Sequence, residues 1–211
     1  MLDAVAAAAA AHHLAVFGGF HPDPEEGLGQ TVLMLGPAEP GFWSHATAQA
    51  EFADGAADPL DRWSSRTIAA LAARFGGAAH FPFGGPPHRP FYAWALRTGR
   101  AWAAPVGFLV HDAAGLLVSY RGAIALPDRL ALPPAPPCPC DGCARPCLRA
   151  CPPGALTATG YDVPACHAFL DTPDGAACMT GGCRVRTSCP VSRSYARLPE
   201  QSAYHMRLFH R

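Results

Sequence analysis

Nine cysteines fall between positions 138 and 189 of a 211-residue chain, and none precedes them. Five crowd into the stretch Cys138-Pro-Cys140-Asp-Gly-Cys143-Ala-Arg-Pro-Cys147-Leu-Arg-Ala-Cys151-Pro152, and Cys166, Cys178, Cys183 and Cys189-Pro190 follow at wider gaps. Thiols so spaced can pair as disulfides or, once deprotonated, ligate metal. A disulfide framework belongs to small exported chains with an even count. Here the count is odd and the chain is long enough for a core of its own. The opening MLDAVAAAAAAHHLAVF lacks the basic start of an export signal and sets Asp3 before its alanines, so it reads as a buried or capping helix. The expected location is the cytoplasm, where reduced thiols are best used on metal.

The run Cys140-x2-Cys143-x3-Cys147-x3-Cys151-Pro152 resembles the bacterial ferredoxin run C-x2-C-x2-C-x3-C-P with one extra residue in the second gap. The later cysteines are separated by eleven, four and five residues, and eight thiolates suffice for two 4Fe-4S clusters. Ferredoxins interleave their halves. The resemblance therefore implies Cys140, Cys143, Cys147 and Cys189 for one cluster, and Cys151, Cys166, Cys178 and Cys183 for the other, with Cys138 left over. The segment after Cys151, PPGALTATGYDVPAC, is similar to the CPTGAI segment of the same modules. Arg145, Arg149, Arg184 and Arg186 lie among the thiolates, where positive charge raises a reduction potential, although each also reads as an ordinary surface arginine. Two other uses stay open. Structural zinc would make this a zinc-stabilised interaction module, with His167 beside Cys166, yet only Cys140 and Cys143 form a C-x2-C knuckle. A degenerate module would leave its thiols merely buried or oxidised.

The elements that must position these thiols precede and frame them. DPLDRWSSRTIAALAARFG, residues 58–76, predicts a helix with Asp58 at the N-cap, Pro59 at the first turn and Gly76 past the end. Leu60, Trp63, Ile68, Leu71 and Phe75 share one face of it. A second helix after Pro90 is expected to carry Phe91, Trp94 and Leu96 toward Trp102. Leu14–Phe17 and Thr31–Leu35 read as strands, and the two β-rich runs within 106–126 read as a hairpin around DAAG. The fold class is α+β: a domain over 1–130, a Pro-rich linker over 131–137 and a cysteine module over 138–211. The 16 basic residues, all arginine, balance 16 acidic ones, so no field favours nucleic acid or an anionic membrane. No apolar run reaches the 18 or so residues of a membrane span.

The order of the eight cysteines, with Cys166-His-Ala-Phe-Leu between two groups, resembles epoxyqueuosine reductases and the related reductive dehalogenases. That resemblance implies a C-terminal two-cluster module beside a cobalamin-binding, nitroreductase-like domain. The first 130 residues resemble CblC-type cobalamin-processing proteins in Asp58-Pro-Leu-Asp61, Pro87-His-Arg-Pro90, His111-Asp112, Gly115-Leu-Leu-Val-Ser-Tyr-Arg-Gly122 and Ile124-Ala-Leu-Pro127. They imply a corrinoid, or a flavin, held near Arg121, His88 and Arg89. A plain salt bridge for Arg121 and a turn-stabilising role for the other two are the alternatives. His12, His13 and His21 could serve as metal or corrinoid ligands but read more readily as ordinary core or surface histidines. Trp63, Trp94 and Trp102 could line a flat cofactor but read more readily as core, and no catalytic residue is assigned. The function expected is electron transfer through two clusters to a corrinoid. The alternative is a ferredoxin-type carrier that docks a partner protein and has no small-molecule cofactor of its own.

Overall fold

The computed structural model describes residues 1–210; Arg211, the last residue of the expected module, lies outside them. Helix α1 (Leu2–Ala10) leads into strands β1 (Leu14–Phe20) and β2 (Thr31–Pro37). Helices α2 (Phe42–Thr47), α3 (Ala50–Ala53) and α4 (Pro59–Arg74) precede β3 (Ala78–His80), and α5 (Phe91–Arg97) precedes β4 (Ala101–Ala103), β5 (Leu109–His111) and β6 (Gly122–Leu126). The remainder is helical: α6 (Val163–Leu170), α7 (Ala176–Gly181), α8 (Arg184–Ser188), α9 (Pro190–Ser194) and α10 (Pro199–Phe209). The chain is thus α+β, and its contacts divide it into two compact units: Met1–Arg100 with Ser119–Pro136, and Ala101–Val118 with Pro137–Arg211.

The first unit is built on an antiparallel sheet in the order β1-β2-β6-β3. Thr31-Val-Leu-Met-Leu-Gly-Pro37 is buried at every position, as is Gly122-Ala-Ile-Ala-Leu126, which is what an unbroken apolar run gives when both faces are covered. Leu33 stands opposite Ile124 and Leu35 opposite Gly122. Burial of each such side chain is worth about 1.5–3 kcal/mol. Helix α4 packs on β6 and β3, while α1 and α5 pack on β1. On the expected face of α4, Leu60, Trp63, Ile68 and Leu71 are buried and Phe75 is half-buried. Asp58 sits at its N-cap position but at φ +50°, and its side chain caps nothing. At the edge, β1 bulges between Val16 and Gly19. Gly18 there has φ +117°, and a Cβ on it would lie 2.7 Å from Thr98 Cβ, so only glycine fits.

Two expectations fail. Leu96 in α5 is 39% exposed, because only Phe91, Trp94 and Ala95 face inward. The runs within 106–126 do not pair with each other: β5 pairs with β4, and β6 with β2 and β3. The turn after β5 closes on itself instead. His111 and Gly115 exchange backbone hydrogen bonds of 3.0 and 2.9 Å, and His111 Nδ1 accepts the N–H of Ala113 at 3.1 Å.

The second unit takes in residues 101–118, which the sequence reading places with the first domain. The reason is apolar supply. The stretch 138–151 offers cysteine, proline, glycine and alanine but only one large apolar residue, Leu148, and that is 38% exposed. Ala104, Val106, Val110 and Leu116 supply what is missing and form one core with Cys147, Leu156, Val185 and Cys189. Gly115 holds this segment against α9: at φ +57°, any Cβ on it would meet the Ser192 backbone nitrogen at 2.5 Å. Helix α10 packs on α7, where Met206 joins Leu170 and Cys178 in a second small core.

Candidate functional site

All nine thiols are free, and they gather in two places within the second unit. Cys140 interacts electrostatically with Cys138, Cys143 and Cys147, and Cys147 with Cys189 and Cys143. Cys166 interacts with Cys183, Cys151 and Cys178, and Cys178 with Cys183 and Cys151. The first group adds Cys138 to the four thiols Cys140, Cys143, Cys147 and Cys189, and the second holds Cys151, Cys166, Cys178 and Cys183. Cys189 joins the first because α8 is a single short helix that carries the chain from Cys183, at its N-cap, to Cys189, at its end.

A cavity of about 270 Å³ is lined by Cys140, Cys143, Cys147 and Cys189, with Ala104, Val110 and Leu116 closing its apolar side. Cys138 lies outside that lining and is hydrogen-bonded to Cys140. Burial, and then the neighbouring thiols, push the Cys140 thiol up to about 11. Burial also raises Cys147, Cys166 and Cys178, so at neutral pH these sulfurs hold protons that any bound metal must displace. Among the described residues, no three or more His, Cys, Asp or Glu side chains are grouped as the ligands of a single ion would be.

Donors surround the sulfurs. The Arg145 N–H reaches Cys143 Sγ at 3.3 Å, the Leu156 N–H reaches Cys151 Sγ at 3.4 Å, and Tyr161 Oη donates to Cys166 Sγ at 3.4 Å. Burial and the Cys166 bond hold the Tyr161 phenol far above its usual range, so it remains a donor. Gln201 in α10 is fully buried with neither side-chain amide atom hydrogen-bonded, an arrangement that costs about 1–3 kcal/mol if nothing meets it. A donor set that is all sulfur, hydrogen-bonded from N–H and O–H groups and backed by an apolar core, suits a group ligated by thiolates alone.

In the first unit the expected residues do not converge. Arg121 is buried and engaged: its Nε donates to Ser64 Oγ at 3.0 Å, its Nη2 pairs with Asp61, and its guanidinium lies 5.6 Å from the Phe83 ring centroid. That is the plain salt-bridge arrangement. His88 and Arg89 are exposed on their loop. A ligand-sized groove of about 720 Å³ exists elsewhere, lined by Phe20, His21, Arg97, Thr98 and residues 129–133. His21 bonds the Leu130 carbonyl there at 3.0 Å, and Arg97 is held by Glu26 at 2.7 Å. Trp63 and Trp94 are core.

Sequence reading missed Tyr161 and the role of residues 101–118. It also missed His45, whose ring lies 4.9 Å from that of His13 and 6.3 Å from that of His12. Burial first, then the charges of His13 and His12, pull His45 below its ordinary value. Burial and Arg89 do the same to His80. A histidine with a depressed folded pKa favours the neutral form, so its contribution is present above the unfolded value of about 6.5 and lost as pH falls below it. The urea midpoint should therefore drop between pH 7.5 and pH 5.5, and His45→Asn should flatten that drop. An unchanged slope in the variant would remove His45 from the account.

No protein-family model, curated protein or solved structure matches this chain.

Proposed function

We propose that this chain is an iron–sulfur redox protein whose second unit holds two 4Fe-4S clusters and whose first unit binds the acceptor, a corrinoid or, second to it, a flavin. The same proposal takes the first unit as nitroreductase-like, of the CblC type, and the second as ferredoxin-like. The observation that carries it is the cavity lined by Cys140, Cys143, Cys147 and Cys189, four thiols drawn from both ends of the cysteine region. Cys151, Cys166, Cys178 and Cys183 would hold the second group. Bound there, each group would supply one-electron transfer at a potential set by its surround. The chain itself contributes the thiolates, the N–H and O–H donors to sulfur, and an apolar wall that excludes water.

Arg121 favours a second reading. Its commitment to Asp61 and Ser64 removes one of the three residues expected to meet a corrinoid, which suits a ferredoxin-type carrier that docks a partner protein instead.

Iron, acid-labile sulfide and zinc should be measured on anaerobically purified protein together with its visible spectrum. About eight iron and eight sulfide per chain are expected. Zinc without iron would replace this reading with a zinc-stabilised interaction module. Loaded protein, reduced with dithionite, is then expected to reduce cob(II)alamin. If it is loaded but neither binds nor reduces any corrinoid, the carrier reading stands.

A further inference from the structure

Arg186 is a cation in need of an anion. It sits half-buried in α8, three residues beyond Cys183, the N-cap of that helix. Its Nη1 donates to the Leu116 carbonyl at 2.8 Å, and its guanidinium stacks 4.4 Å from the Phe108 ring centroid. Phe108 in turn meets Tyr161 edge-on at 5.9 Å, and Tyr161 donates to Cys166. Among the described residues no carboxylate pairs with Arg186; what it meets electrostatically is Cys183 and Tyr161. Charges removed from water are kept only where an opposite charge offsets the loss of hydration. A carbonyl and a ring face fix the position of this guanidinium, but neither neutralises it.

We infer that Arg186 is a positioning residue that supplies the counter-charge to the thiolates of Cys151, Cys166, Cys178 and Cys183, and that it sets the group they hold at the higher of the two reduction potentials. The inference rests on the iron–sulfur reading above. Its physical basis is the Coulomb term: an added electron is stabilised by a fixed nearby cation, most of all where water is excluded. The asymmetry between the sets supports it. Backbone N–H groups of Arg145, Cys147 and Leu148 reach the first set, whereas the second has the Leu156 and Arg184 N–H groups, a phenol, and two charges, Arg186 beside Cys183 and Arg184 beside Cys178.

The test is an EPR-monitored redox titration of anaerobically loaded wild type, Arg186→Gln and Arg186→Lys. Wild type should show two midpoints. In Arg186→Gln the higher one should fall by about tenfold in its one-electron equilibrium, which is about 59 mV, while the lower stays in place. Arg186→Lys keeps the charge without the planar fork and should recover at least half of that shift. If the glutamine variant fails to fold, Arg186→Met, which keeps an unbranched stem and removes the charge, is read in its place with the same expected fall. Two unmoved midpoints, or equal movement of both, would overturn the inference while leaving the clusters standing. A wild type that loads no iron overturns this inference and the iron–sulfur reading together.

Discussion

Replacing Cys147 and Cys151 together with alanine should empty the protein of iron, whereas replacing Cys147 and Cys189 should leave about four of eight irons in place. The two double variants separate the interleaved pairing from a contiguous one. If Cys140, Cys143, Cys147 and Cys151 bound one group and the later four cysteines the other, the outcomes would exchange. Cys147 is the informative residue for both variants. It is buried, it interacts with Cys189 and Cys143, and unlike Cys140 it has no spare thiol hydrogen-bonded to it. Cys138 could stand in for a lost Cys140, and a substitution there would read falsely as tolerance. Iron and sulfide content, followed by the EPR signal of the remaining group, reads each variant directly.

The grouping of the thiols was legible in the order of the cysteines and hidden in their spacing. Gaps of eleven, four and five residues match no standard run, yet the chain brings Cys189 back to Cys147 through α8, five residues long. Strands β1 and β2 and helix α4 were legible because local pattern and burial agree. Residues 101–118 were not legible. Their strand character is local, but which core they join depends on Leu116 and Val110 meeting Val185 and Cys189, some seventy residues away in sequence, and no period or turn signal reports that. Tyr161 carried no signal either: a tyrosine five residues before a cysteine becomes a sulfur donor only once Asp162 caps α6, accepting the Ala165 N–H at 2.9 Å, and so fixes the entry to that helix. The expected corrinoid contacts fail for the opposite reason. Arginine at the start of a strand is a common sequence feature, and here Asp61, in the first turn of α4, takes it first.

That ion pair gives the second large expected effect. Arg121→Leu should destabilise the protein by about 2–3 kcal/mol, because it removes a bond to Ser64 and a pairing with Asp61 on a guanidinium side chain that is 9% exposed. The partner left behind, Asp61, is 36% exposed and can rehydrate, which keeps the loss below the 3–5 kcal/mol or so of a fully buried pair. Asp61→Asn should cost less, since the amide still accepts a hydrogen bond. The double variant should cost less than the sum of the singles, because both remove the same contact. Urea midpoints on the four proteins close that cycle. Iron content per folded chain should not change, since Ser64, Asp61 and Arg121 all belong to the first unit and the thiols to the second. A different outcome would reassign the residue: unchanged stability with lost corrinoid binding would make Arg121 a ligand contact that the Asp61 pairing merely holds in readiness, and the carrier reading would lose its chief support.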